Sequence, residues 1–312
     1  MDRHIIDWLL EGPGWMQHAV ELQLLDSKPP VSLALQDDSI IKLKNRLKDN
    51  LTGLPALKSG NISYTGNVYW DLFFLSDIGF SASDLLLEKE IEEIFDLQAG
   101  DGTFDFWGEM KPNYFCISAI LLSSIAKMGY KDDSRLEKYL QIVLDSQRLD
   151  GGWHCAKRRA VGKKLEGTES CPMDNLNILM LLGQHDKYRN DPRFNGALDL
   201  LLTHWNRRGE PWRPYGFGIG TQFTRLKYPA VKYGILRVLD VLSLFPYAVK
   251  SESFKDMLYF LHKKSGDGKY FAESVVGNYS GFDFGQKKEP SRWITFLVNR
   301  IEKRVSDVER NK

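Results

Sequence analysis

Five cations, Lys157, Arg158, Arg159, Lys163 and Lys164, fall within eight positions, and Glu169, Ser170, Cys171 and Asp174 follow them closely. Side chains of this kind in one connection neutralise an anionic head group through charge-assisted hydrogen bonds. Two further connections carry paired cations before apolar segments: Arg225 and Lys227 in "RLKYPAVKYG", and Lys287, Lys288 and Arg292 in "GQKKEPSRW". Cations at a helix start oppose the helix dipole, so three such placements call for an anion or nearby carboxylates to offset them. The alternative reading is a solvated face.

These connections need elements to position them, and the sequence supplies a repeat. "SQRLDGGW" (146–153) has relatives in "DLQAGDGTF" (96–104) and "LHKKSGDGKYF" (261–271), with weaker copies in "LLTHWNRRGEPW" (201–212) and "LPALKSGNISY" (54–64). Each copy ends an amphipathic segment with a turn and an aromatic residue, at spacings of about 40–60 residues, as in an array of helical hairpins. Glycine supplies the left-handed cap that stops a helix, and a Gln before it can bond the orphaned backbone groups.

Between the turns the apolar period is helical. "LEKEIEEIFDLQ" and "SRLEKYLQIVLDSQ" have one wet face, whereas "NYFCISAILLSSIAKMG", "CPMDNLNILMLLG" and "YPAVKYGILRVLDVLSLF" are apolar over most of their circumference. The pattern predicts about 12 helices, near 4–10, 15–25, 38–50, 67–79, 84–97, 112–129, 134–147, 173–184, 192–205, 229–245, 251–264 and 291–305, alternating outer and inner. An open stack needs polar caps at both ends. The last inner segment, "SRWITFLVNRIEKR", is apolar through its first turns, which favours closure. The expected fold is all-α, an (α/α)6 toroid spanning 1–312 as a single domain, with a short basic polar tail after about residue 305.

Composition bounds the function. The 312 residues are 43% hydrophobic and 12% aromatic, enough for a large core, and a net charge of +1 gives no global field toward nucleic acid. Three cysteines are too few for a disulfide framework, the N-terminus lacks a secretory pattern, and no apolar run spans a bilayer. The expectation is a cytoplasmic protein with no nucleic-acid partner and no transmembrane segment, peripheral membrane contact remaining open.

A helix ending in Gln, followed by Asp-Gly-Gly-Trp, resembles the repeat of the prenyltransferase and squalene-cyclase superfamily. The resemblance covers nearly the whole chain, and "GFDFGQKKEPSRWITFL" (281–297) is similar to the tail of its single-domain bacterial and archaeal members. It implies an α/α toroid with its ligand inside the ring, at the end where the inner helices begin. An isoprenoid-handling enzyme, a cyclase or a transferase, follows from it. Arg158, Arg159, Lys163 and Lys164 would then hold a diphosphate, joined by Arg225 and Lys287, and the rings of Trp70, Tyr114 and Trp293 would line the cavity.

In the zinc-dependent members of this superfamily the matching loop continues into Asp-x-Cys. Here the similar positions are Glu169-Ser170-Cys171, and His154 and Cys155 could complete a site for a divalent metal, zinc or magnesium, with Cys171. The third ligand of those enzymes, a His at a later inner-helix start, has no counterpart. The cyclase branch implies an acid; Asp174, or else Glu169, would serve, though the Asp-rich motif is missing and Asp174 also reads as a first-turn dipole partner. Two rivals stay open. One is a non-catalytic binding or scaffolding toroid with a plugged centre. The other is carbohydrate chemistry by a carboxylate pair drawn from Asp71, Glu109, Asp174 and Asp283.

Overall fold

The computed structural model describes residues 2–53, 68–104, 115–154, 169–229 and 233–310. Among the described residues, besides five of four residues each, there are twelve α-helices of eight residues or more: α1 (Arg3–Leu10), α2 (Gly14–Gln23), α3 (Asp38–Leu51), α4 (Val68–Ile78), α5 (Glu88–Phe95), α6 (Phe115–Ile125), α7 (Ser134–Asp145), α8 (Pro172–Leu182), α9 (Asn195–Asn206), α10 (Ile235–Leu242), α11 (Glu252–His262) and α12 (Arg292–Arg310). The protein is all-α, with isolated bridges but no strand among the described residues. No helix there is long and apolar enough to cross a membrane.

Even- and odd-numbered helices differ in how they meet water. Every residue of α4 and of α8 is buried. By contrast, α3 buries Ile40, Leu43, Leu47 and Leu51, and α7 buries Leu136, Tyr139, Leu140 and Val143, the single stripe of a surface helix. The contacts follow a cyclic order: α2 packs on α4, α4 on α6, α6 on α8, α8 on α10, α10 on α12, and α12 returns to α2. The wet helices α1, α3, α9 and α11 pack on α2, α4, α8 and α10 respectively.

The repeated turns work as stability devices. Gln98 donates to the carbonyls of Gly102 and Arg135 at 3.0 and 2.8 Å, and Gln147 to those of Gly151 and Arg193 at 2.7 Å each. Each Gln thus ties the end of one outer helix to the neighbourhood of the next helix start. The indole of Trp153 donates back to the Val143 carbonyl at 2.7 Å and is fully buried. Gly151 takes φ 82°, and a Cβ there would lie 2.8 Å from Cα of Gly196, so both the conformation and the close approach require glycine.

Two boundaries differ from the sequence expectation. Helix α10 begins at Ile235, not near 229, after a turn through Leu226–Pro229 and a Gly234 N-cap with φ −154°. Helix α12 likewise runs past its expected end near 305 and stays helical to Arg310. Val305 and Val308 pack against the core, and Arg304 bonds the Asp240 carbonyl at 2.9 Å, which holds the last turns down.

Candidate functional site

The start of α8 is where the sequence concentrates its chemistry. Cys171 is the N-cap and Pro172 opens the first turn. The Cys171 amide donates to the Trp153 carbonyl at 2.9 Å, and Asn175 closes the join, accepting from the Trp153 amide at 3.2 Å and donating to the Cys171 carbonyl at 2.8 Å. Asp150 accepts from the amide and hydroxyl of Ser170 at 2.8 and 2.7 Å. The turn and the helix start are one rigid unit, and Asp174 sits fully buried within it.

Glu169 is separate from that unit. It is exposed, and both its oxygens accept the indole N–H of Trp212, at 2.9 and 2.8 Å. Of the two carboxylates considered as the acid, Asp174 is thus enclosed and Glu169 is exposed. His154 meets Tyr215 edge to face, with ring centroids 4.5 Å apart. Arg158, Arg159, Lys163, Lys164, Cys155, Tyr114 and Glu109 lie outside the described residues. Among those described, no group of three His, Cys, Asp or Glu gathers as a metal set.

The second and third basic connections lie on the surface. Arg225 and Lys287 are exposed on their turns. Because α10 starts ten residues after Arg225, no helix dipole opposes that charge, and the electrostatic argument for an anion there lapses.

The expected cavity walls are packed. Trp293 is fully buried against Trp15, Phe74, Tyr228 and Phe296, with ring centroids 5.6, 5.2, 5.5 and 4.9 Å away. Two connections fill the space between the inner helices. Tyr228 passes its hydroxyl to Asp77 at 3.1 Å, and Phe282 and Phe284 stack on one another against Phe74. Trp70 is fully buried too, and the Arg237 guanidinium stands 5.4 Å from its ring and 5.9 Å from that of Phe73. A cavity of about 20 Å³ lined by Phe73, Tyr228, Leu236, Arg237 and Leu297 is room for one water.

Arg237 escaped the sequence reading, as did two other groups. It is 5% exposed, bonds Asn177 through Nη2, and burial pushes its guanidinium down to about 9. His204 of α9 is buried; its Nδ1 faces the Tyr233 hydroxyl and its Nε2 the Phe217 carbonyl, each at 3.1 Å. Burial lowers this imidazole to about 4, so it is neutral, and with both nitrogens engaged it has no lone pair for a metal. The third group is an ion network, Lys127–Asp77–Arg300–Asp240–Arg304, at the far ends of the inner helices. A charge inside an otherwise apolar helix, as in "GILRVLDVL", was the available signal.

Of the carboxylates considered for carbohydrate chemistry, Asp71 and Asp283 have structural partners. Asp71 takes Arg46 on both oxygens, at 2.6 and 2.8 Å, and the Tyr279 hydroxyl at 2.7 Å; burial raises its carboxyl against those bonds. Asp283 accepts from the Ser291 hydroxyl and the Trp293 amide, at 2.9 and 3.0 Å, and so caps α12.

One open groove adjoins this end. It has a volume of about 550 Å³ and is lined by Arg208, Trp212, Arg213, Ile219 and Phe223, with His204 at its wall. Trp212 is fixed there by Glu169 and by the Arg207 guanidinium, 4.3 Å from its ring. Compared with known proteins, the chain matches no family model and no curated sequence.

Proposed function

We propose that the chain is an (α/α)6 toroid that binds, without transforming, a ligand with an apolar chain and an anionic head, of the isoprenoid diphosphate class. The cyclic order of α2, α4, α6, α8, α10 and α12 supports the ring. The ligand class rests on the superfamily resemblance and on the cations at 157–164. Its chain would lie in the groove beside Trp212, whose volume of about 550 Å³ is in the range of small-molecule sites.

The observation that carries the choice of binding over catalysis is the Arg237 guanidinium against Trp70. A cyclase must stabilise a carbocation on such a ring. A second positive charge some 5 Å off would oppose it by about 3 kcal/mol at an effective dielectric constant of 20. The packing of Trp293 and Tyr228 supports the same reading, since it takes up space that a folded polyene would need.

Calorimetric titration with farnesyl diphosphate, followed by product analysis, tests the proposal. Saturable binding, weakened about tenfold in Trp212→Ala or Arg213→Ala, with the diphosphate recovered intact, is expected. Release of diphosphate or formation of a cyclic hydrocarbon would overturn it in favour of an enzyme. Binding weaker than about 1 mM, a free energy near −4 kcal/mol, would remove the ligand class.

A further inference from the structure

The far ends of the inner helices enclose a second recess, of about 390 Å³. Lys127 beyond α6, Gln184 beyond α8, Asp240 and Ser243 at the end of α10, and Arg304 in α12 line it, and Arg189 stands on its rim. We propose that this recess binds a small oxyanion bearing phosphate or carboxylate groups, independently of the ligand proposed above.

Hydrogen-bond accounting decides the sign of the ligand. Each carboxylate already holds a cation. Asp240 takes three N–H bonds from Arg300 and Arg304, at 3.0, 2.9 and 3.0 Å. Asp77 takes Arg300, Lys127 and Tyr228, Asp186 pairs with Arg189, and Asp307 pairs with Arg310. Donors are left over. Arg304 commits only Nη1, to the Asp240 carbonyl, its carboxylate and the Ser243 hydroxyl; its Nε and Nη2 make no hydrogen bond among the described residues. Arg189 commits Nε to the Gly183 carbonyl and Nη1 to Asp186, leaving Nη2. Lys127 spends one of its three N–H groups on Asp77, at 3.0 Å.

Spare donors beside carboxylates that already hold cations suit a ligand that only accepts, which is an oxyanion. Helix C-termini converge on this recess and would repel one. Those carbonyls already have donors, however: Arg189 on Gly183, Gln184 and Ser123 on Met180, and Arg304 on Asp240. Burial lowers the affinity of Arg304 for its proton, Asp240 and Asp77 raise it, and the charges of Arg300 and Arg189 lower it.

Titration of the full chain with inorganic phosphate, and separately with citrate, tests the site. Saturable binding of at least one probe is expected, weakened about tenfold in Arg189→Gln through loss of a charged donor. Asp186→Asn, at an exposed position, releases Arg189 from its rival carboxylate and should tighten binding about twofold. Lys255→Gln, at an exposed cation outside both recesses, should leave phosphate binding unchanged. Failure of both probes to bind saturably overturns the proposal. So does indifference of phosphate binding to both Arg189→Gln and Asp186→Asn, and so does its loss in Lys255→Gln alone. Farnesyl diphosphate titration of the same variants reads the other end separately.

Discussion

The two ends of the inner helices solve opposite problems. Where those helices end, Gln23, Asp77, Lys127, Asp240, Arg300 and Arg304 join α2, α4, α10, α12 and the turn after α6 through charges enclosed by the protein. Where they begin, charge enters as separate pairs and caps, Asp71 with Arg46 and Asp283 at the start of α12, and several links are neutral: Trp153 to Val143, Asn175 to Cys171, and a neutral His204 to Tyr233. Neutral links lose little when one is broken, because no bare charge remains. A buried charge network is different: its net contribution is small while whole, but losing a member strands the others.

The largest expected effect therefore belongs to the charged end. Arg300 has 4% of its side chain exposed and serves Asp77 and Asp240 together. Arg300→Met should destabilise the protein by about 3–5 kcal/mol in urea unfolding, since two carboxylates lose their cation. A loss below about 1 kcal/mol would mean the network is hydrated, like a surface pair.

The pH dependence separates the two ends. His204 has a folded pKa of about 4, against about 6.5 in an unfolded chain, so the native state binds its proton less tightly. Its contribution is complete above the unfolded value and is lost as pH falls from about 6.5 to 4, on the order of 3 kcal/mol. Asp77 is held below the ordinary carboxylate range by Arg300 and Lys127, which outweigh its burial. Its contribution is present above about pH 4 and is lost only below that. His204→Gln should flatten the upper window and leave the lower one, while Asp77→Asn should do the reverse. A single shared transition would show that the ends do not titrate independently.

Gly151→Ala tests the neutral end through the backbone. The left-handed φ of 82° and the 2.8 Å approach to Gly196 should together cost about 1–3 kcal/mol, measured as a fall in urea midpoint. Gly100→Ala, where an added Cβ meets nothing within 4 Å, is the control.

The same contrast explains what could be read from the sequence. The helix count, the alternation of wet and dry helices and the Gln-Gly-aromatic turns were legible because each depends on local period or local conformation. The start of α10 was not. Its apolar run continues back through Tyr228 and Pro229, and only packing reveals that Tyr228 leaves the helix to reach Asp77. The ionic network was hidden for a related reason: Asp77, Asp240 and Arg300 are far apart in the chain, and each alone looks like an exception in an apolar segment. Arg225 and Lys287 were singled out by type and spacing, and both stand exposed on their connections.

The smallest expected effect concerns Glu169, the sequence's second choice of acid. Both its oxygens accept one indole N–H from Trp212, and the pair is exposed to water. Glu169→Gln keeps an acceptor for that N–H, so stability should change by less than about 0.5 kcal/mol, and Glu169→Ala should cost about 1 kcal/mol at most. The groove reports more sensitively than the fold. With Trp212 no longer fixed, the Ala variant should lose affinity for farnesyl diphosphate by about threefold, a loss of orientation rather than of contact. A loss as large as that of Trp212→Ala would mean that Glu169 touches the ligand itself.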